Sequence, residues 1–214
     1  AVRGVQVDVN NPVALCCSGV DDTALVDGEA WAATVGGGVS VIDPDSLEVR
    51  EHFLHEPSNA SGLALNDVSA VFKDDSGIVW LGTWGAGLNR YNPANSAIKI
   101  LRQNPYAEAS HGDTHIQSMR EMKSGDVWLG TSLSGVQVVR PGVGVIKTYP
   151  AAPGKRGAIQ NPFIHSIEQL PNGEIWVGTN QTGAYRYNSK TDDFTQYTTE
   201  QGLTDDLVRT MYAT

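Results

Sequence analysis

Cysteine is almost absent. The only two, Cys16 and Cys17, stand side by side in a chain of 214 residues. A disulfide between neighbours is strained, and no His or Cys at ligand spacing completes a metal set. The pair reads as two small apolar side chains in a strand, and a disulfide scaffold is excluded. Basic charge is also scarce: 15 Lys and Arg stand against 24 Asp and Glu, for a net charge of −9. Phosphate backbones require a basic face, so nucleic acid is excluded as a partner, and an anionic membrane surface is disfavoured. No apolar run approaches the roughly 20 residues that span a bilayer. Any membrane attachment is therefore expected through parts of a parent protein outside this chain. The opening Ala1-Val-Arg-Gly4 lacks the basic stretch and apolar core of a signal peptide. Helical periodicity is missing throughout. No nucleophile elbow, phosphate loop or positioned pair of catalytic carboxylates occurs, so no catalytic residue and no cofactor is expected.

What the chain does contain is a period. Trp31, Trp80, Trp128 and Trp176 are each preceded at three residues by a glycine (Gly28, Gly77, Gly125, Gly173) and followed at three by a threonine (Thr34, Thr83, Thr131, Thr179). Four residues beyond each threonine comes a second glycine: Gly38, Gly87, Gly135 and Gly183. A fixed period of about 48 residues marks a repeat architecture. Within it, short alternating apolar segments flank a glycine turn, the pattern of a β-hairpin. In the second repeat these are Val68–Phe72 and Ile78–Thr83; in the third, Ile116–Met119 and Asp126–Thr131; in the fourth, Ile164–Ile167 and Glu174–Thr179. Third strands follow at Val39–Ile42, Leu88–Tyr91, Val136–Val139 and Ala184–Tyr187, and fourth strands at Glu48–Phe53, Ala97–Leu101, Val143–Tyr149 and Phe194–Tyr197. Four antiparallel strands per period describe a β-propeller blade. The tryptophan of each second strand is expected to pack between neighbouring sheets.

The stretch Ser76-Gly-Ile-Val-Trp-Leu-Gly-Thr-Trp-Gly-Ala-Gly-Leu-Asn-Arg-Tyr-Asn-Pro93 resembles the two-component regulator propeller repeat. Residues 163–197 match it through Gly183, Arg186, Tyr187 and Asn188. Residues 115–149 match through Trp128, Gly130, Thr131 and Gly135, with Val139 in place of the tyrosine. Residues 19–53 are the most diverged, carrying Ala33 and Ile42 where the pattern has glycine and tyrosine. The loops Ser61–Asn66 and Gln201–Asp205 resemble the inter-blade connections of the same family. The resemblance implies an all-β propeller serving as the periplasmic or extracytoplasmic sensor region of a bacterial membrane receptor. A histidine kinase or diguanylate cyclase output module would lie outside this chain.

The expected organisation is one propeller domain: 1–18 as the remnant of a preceding blade, then blades at 19–67, 68–115, 116–163 and 164–206. Leu207–Met211, within 207–214, is expected as the first strand of a further blade. Propellers close with four to eight blades, and four blades with ragged ends would expose strand edges. The expectation is part of a seven- or eight-bladed ring, completed by the remaining blades of the parent or by a second copy in a homodimer.

Loops entering the first strand and joining the second to the third share one propeller face. This face collects Asn66, Asp67, Thr114, His115, Asn161, Pro162, Trp84, Ser132, Asn180 and Gln181. Trp84 stands outside the tryptophan register and reads either as an exposed stacking platform or as packing for a neighbouring loop. Alternation along the first strands directs Ser69, Gln117, His165 and Arg209, or their neighbours, to the channel. The ligand-binding candidates are therefore Trp84, His115, His165, Asn180, Gln181 and Arg209, for a small-molecule or oligosaccharide ligand. Two metal readings are weighed and set aside. His111-Gly-Asp-Thr-His115 lies on a long loop without a third ligand, and Asp74-Asp-Ser-Gly77 is an ordinary hairpin turn lacking the distal glutamate of a calcium loop. The alternatives to a sensor are a propeller lyase or hydrolase using His165 and Arg209, and a protein-interaction scaffold.

Overall fold

The computed structural model describes residues 19–57, 62–94, 97–101, 115–141 and 143–212. Cys16, Cys17, the remnant at 1–18 and the stretch 111–114 lie outside the described residues.

Sixteen strands form four antiparallel sheets, each a simple meander. The first sheet comprises β1 (Val20–Val26), β2 (Glu29–Thr34), β3 (Gly38–Ile42) and β4 (Val49–Phe53). The second is β5 (Val68–Lys73), β6 (Val79–Thr83), β7 (Leu88–Asn92) and β8 (Ala97–Leu101). The third is β9 (Ile116–Glu121), β10 (Val127–Thr131), β11 (Val136–Arg140) and β12 (Gly144–Tyr149). The fourth is β13 (Ile164–Gln169), β14 (Ile175–Thr179), β15 (Ala184–Asn188) and β16 (Asp193–Tyr197). The one helix among the described residues is a 3-10 turn at Thr199–Gln201. The all-β propeller reading therefore holds, and β1, a strand with no segment of its own among those expected, completes the first blade. At the first turn of each sheet, Gly28, Gly77, Gly125 and Gly173 adopt φ of 89°, 85°, 80° and 90°. A Cβ is disfavoured in that conformation, which is why the glycine recurs.

The chain divides into two compact units, 1–104 and 105–214. In the first unit, β1 and β2 pack on β5. The outer strands are separated by aromatic rings: Trp31 lies 5.1 Å from Phe53 of its own sheet and 5.4 Å from Tyr91 of the second. Val39, Val41, Leu63, Val68, Val79 and Leu81 complete this core. In the second unit β9 and β10 pack on β13, and the arrangement repeats. Trp128 stacks on Tyr149 at 5.5 Å and meets Tyr187 of the fourth sheet at 5.1 Å, with Phe194 behind. The register tryptophan thus sits between sheets where a following sheet lies in the same unit. Trp176 makes the first half of this arrangement only. It packs on Tyr197 of its own sheet at 5.0 Å and stays half-buried.

Polar contacts pin the sheets together. Lys73 on β5 pairs with Asp27 in the turn between β1 and β2. In the second unit Lys123 reaches the Pro171 carbonyl at 2.6 Å. Leu207–Met211 differs from expectation, because it forms no strand. A strand needs a ladder partner, and this segment has no second strand beside it among the described residues. It does run along the fourth sheet: the Val208 N–H donates to the Thr179 carbonyl at 3.0 Å.

Candidate functional site

Every first strand carries a bulge at the same place. Pairing between β1 and β2 passes from Val20 to Asp22, and between β5 and β6 from Val68 to Ala70. In the second unit it passes from Ile116 to Ser118 and from Ile164 to Ser166. The skipped residues are Asp21, Ser69, Gln117 and His165. A bulged residue leaves the ladder, and its side chain is re-aimed relative to strict alternation. Alternation alone picked out Ser69, Gln117 and His165, but a bulge in the strand sets their direction.

Opposite each bulge, the residue after the register threonine donates its N–H to the residue that leads into the first strand. Val35 bonds Gly19 (3.0 Å), Trp84 bonds Asp67 (2.9 Å), Ser132 bonds His115 (3.1 Å) and Asn180 bonds Phe163 (3.0 Å). These clamps bring the loop between the second and third strands over the bulge. In the second unit the two sets of side chains meet. Gln117 Nε2 donates to Ser132 Oγ at 2.9 Å, and His165 hydrogen-bonds Asn180. Burial lowers the His165 pKa; the Asn180 bond opposes that shift and the Arg209 charge adds to it. The ring is therefore held neutral near pH 7. The Phe163 ring flanks it at 4.7 Å.

Three of the six candidates, His165, Asn180 and Arg209, are thus brought together. His115 lends its backbone carbonyl to the Ser132 clamp. Gln181 occupies a left-handed turn position (φ 70°) with its side chain exposed, and does not join the cluster. Trp84 belongs to the first unit, where its side chain is 41% exposed beside the Asp67 clamp. In that unit Asp21 and Asp22 share the bulge. Burial raises both, the charge of Asp67 raises Asp21 further, and Asp22 accepts the Val71 N–H at 3.0 Å. Among the described residues no group of three or more His, Cys, Asp or Glu is placed to hold a metal ion. Asp74 of the calcium-like turn is fully engaged: its carboxylate accepts from the Ser76 and Ile78 N–H groups, the Ser76 hydroxyl and the Trp80 ring N–H.

Sequence reasoning missed a groove of about 800 Å³ between the third and fourth sheets, lined by Trp128, Tyr149, Tyr187, Lys147, Glu174 and Arg186 among others. The Tyr149 and Tyr187 hydroxyls both donate to Asp192 Oδ1, at 2.7 and 2.8 Å, and Lys147 pairs with the same carboxylate. Burial, then its bonds to the Tyr187 hydroxyl and to Asp192, pushes the Tyr149 hydroxyl far above its ordinary range. Glu174 is paired with Arg186 at 3.3 Å and Asp126 with Arg140 at 2.7 Å. Within the groove the acidic and basic side chains pair with one another, so its charges are largely matched from within.

A family model described as two component regulator propeller matches residues 62–85 and 158–181, so the chain carries repeats of this kind. No curated protein matches the chain. Among solved structures, it resembles the extracellular domain of a protein of B. thetaiotaomicron described as a hybrid two component system, BT3049. The identity is 24%, over 95% of this chain and 25% of that one, with a TM-score of 0.69. The corresponding domain of BT4673 from the same organism is 22% identical over 90% of this chain and 24% of that one (TM-score 0.70). Virginiamycin B lyase from Staphylococcus aureus shares the fold at 16% identity, over 88% of this chain and 57% of that one (TM-score 0.61). The chain spans about a quarter of the two-component structures. Among the described residues no helix is long and apolar enough to cross a membrane.

Proposed function

We propose that this chain is part of an extracytoplasmic, ligand-sensing propeller of a bacterial signal-transduction receptor, and that it binds a small molecule without transforming it. The ligand sits at the bulge cluster of the second unit, on Gln117, Ser132, His165, Asn180 and Arg209. The remaining blades of the parent, or a second copy, complete the ring. The observation that carries this reading is the paired bulge and clamp, which presents one side chain per blade outside the ladder and orients it from the loop opposite.

His165 bonds to the amide of Asn180, which fixes the ring for a hydrogen bond to a ligand. Ligand binding to the native state raises its melting temperature. A thermal-shift screen of small metabolites and oligosaccharides tests the proposal. A ligand whose shift disappears in both His165→Ala and Asn180→Ala supports it; a ligand whose shift survives both variants moves the site elsewhere. Chemical turnover of that ligand would make the protein an enzyme.

A further inference from the structure

We infer that the bulge cluster of the second unit recognises a hydroxycarboxylate, a monoanion carrying a hydroxyl near its carboxylate; this rests on the binding role proposed above. The argument begins with Arg209. The Gly183 N–H donates to the Asp206 carbonyl at 2.7 Å, as the Gly38 N–H does to that of Asn66. This correspondence puts Arg209 at the position held by the bulged Ser69, and so beside the lip that displays His165. The two carboxylates just before it are committed elsewhere: Asp205 accepts the Leu207 N–H at 2.8 Å and Asp206 the Thr199 N–H at 2.7 Å. The exposed Arg209 guanidinium has no ion-pair partner among the described residues. Among the described residues this leaves the Arg209 guanidinium open to an anionic group. Its planar fork matches a carboxylate with two parallel hydrogen bonds.

The neighbours narrow the class. A neutral His165 that donates one ring N–H to Asn180 keeps a lone pair on its other nitrogen. That nitrogen accepts a hydroxyl proton and repels a second carboxylate oxygen. The Asn180 side-chain amide, whose oxygen faces His165, retains its own N–H donors for the ligand. One cation, one acceptor and one neutral donor balance a single negative charge with a hydroxyl beside it. A phosphate dianion would leave a charge unmatched.

The test uses the full chain and the side-chain imidazole signals of its histidines in NMR titrations. Gluconate is the probe. Glucitol (the same chain without the carboxylate), hexanoate (a carboxylate without hydroxyls) and inorganic phosphate are the comparisons. Gluconate is expected to shift the His165 signal saturably, with at least about tenfold tighter binding than any comparison. Arg209→Gln is expected to weaken it about tenfold while circular dichroism stays unchanged, and Arg209→Lys to weaken it less. Glucitol, hexanoate or phosphate binding as tightly as gluconate overturns the ligand class and leaves the binding site standing. So does gluconate binding that ignores Arg209→Gln. No His165 shift with any probe overturns the inference; the binding role itself then falls only if the thermal-shift screen also yields no ligand that depends on His165 and Asn180.

Discussion

Tyr187, on the third strand of the fourth sheet, lies 5.1 Å from Trp128 on the second strand of the third sheet, in an edge-to-face arrangement. Tyr91, on the third strand of the second sheet, meets Trp31 in the first sheet at 5.4 Å with tilted rings. The tyrosine of one repeat therefore covers the tryptophan of the repeat before it. Burying such rings contributes a few kcal/mol each, and edge-to-face pairs add about 0.5–1.5 kcal/mol.

Truncating this contact should be costly in proportion to its burial. Tyr187→Ala is expected to destabilise by about 2–4 kcal/mol, near the lower part of the range for large aromatic truncations. Tyr187→Phe should cost about 1 kcal/mol, through loss of the hydroxyl bond to Asp192. Trp128→Ala should cost more than Trp176→Ala, because Trp128 is buried and Trp176 half-buried. Urea denaturation midpoints at constant slope measure all four; equal losses at the two tryptophans would contradict the packing order.

Asp74 should act as the keystone of the second blade's first turn. Burial pushes its carboxyl up, but bonds from Ser76, Trp80 and Ile78 outweigh that and hold it below the ordinary value. Asp74→Asn places a donor against the Trp80 N–H, at an expected cost of about 2 kcal/mol. The linkage has a fixed sign. With the folded pKa below the unfolded one, the stabilisation is complete above the unfolded value and is lost as pH falls through the folded value. Asp192, held down to about 2 chiefly by Lys147 and then by Tyr149 and Tyr187, adds to the same acid limb. Melting temperatures between pH 5 and 2 should fall less steeply in Asp74→Asn and Asp192→Asn than in the wild type.

Asp22 should behave oppositely. Burial raises its pKa, bonds from Val71 and Thr23 pull it down, and the charge of Asp21 pushes it up again. A raised folded pKa means that stability declines as pH rises through it. Asp22→Asn keeps an acceptor for the Val71 N–H and removes the buried charge. It should stabilise at pH 7 and change little at pH 3. Asp22→Ala leaves the Val71 donor unpaired and should cost about 1–3 kcal/mol at both. Paired thermal melts at the two pH values decide this.

His165 gives a third pH signature. Its folded pKa lies below that of the unfolded chain, about 6.5, chiefly through burial. The unfolded state binds the extra proton first, so stability should fall as pH drops from about 6.5 toward the folded pKa. His165→Gln should flatten that decline and change stability by no more than about 1 kcal/mol at pH 8. An unaltered profile in the variant would mean that the ring is not held neutral.

The blades, their glycine turns and the tryptophan joints were legible from the sequence because each rests on residue types with few substitutes. A positive φ calls for glycine, and a thick inter-sheet joint calls for a large flat ring. The bulges were not legible. Asp21, Ser69, Gln117 and His165 share no chemistry, since a residue outside the ladder faces no common packing demand. Alternation directed Arg209 to the channel together with Ser69, while its segment, without a neighbouring strand among the described residues, takes no ladder. The Tyr149–Tyr187–Asp192 network joins residues up to 43 positions apart, a distance no local pattern reports.

The repeated bulge separates what the backbone requires from what the surface displays. At one address in each blade, acid, hydroxyl, amide and imidazole are all accommodated by the same main-chain path. Such an address is an interchangeable slot: its occupant can change what the blade presents at that point while the strands on either side keep their register.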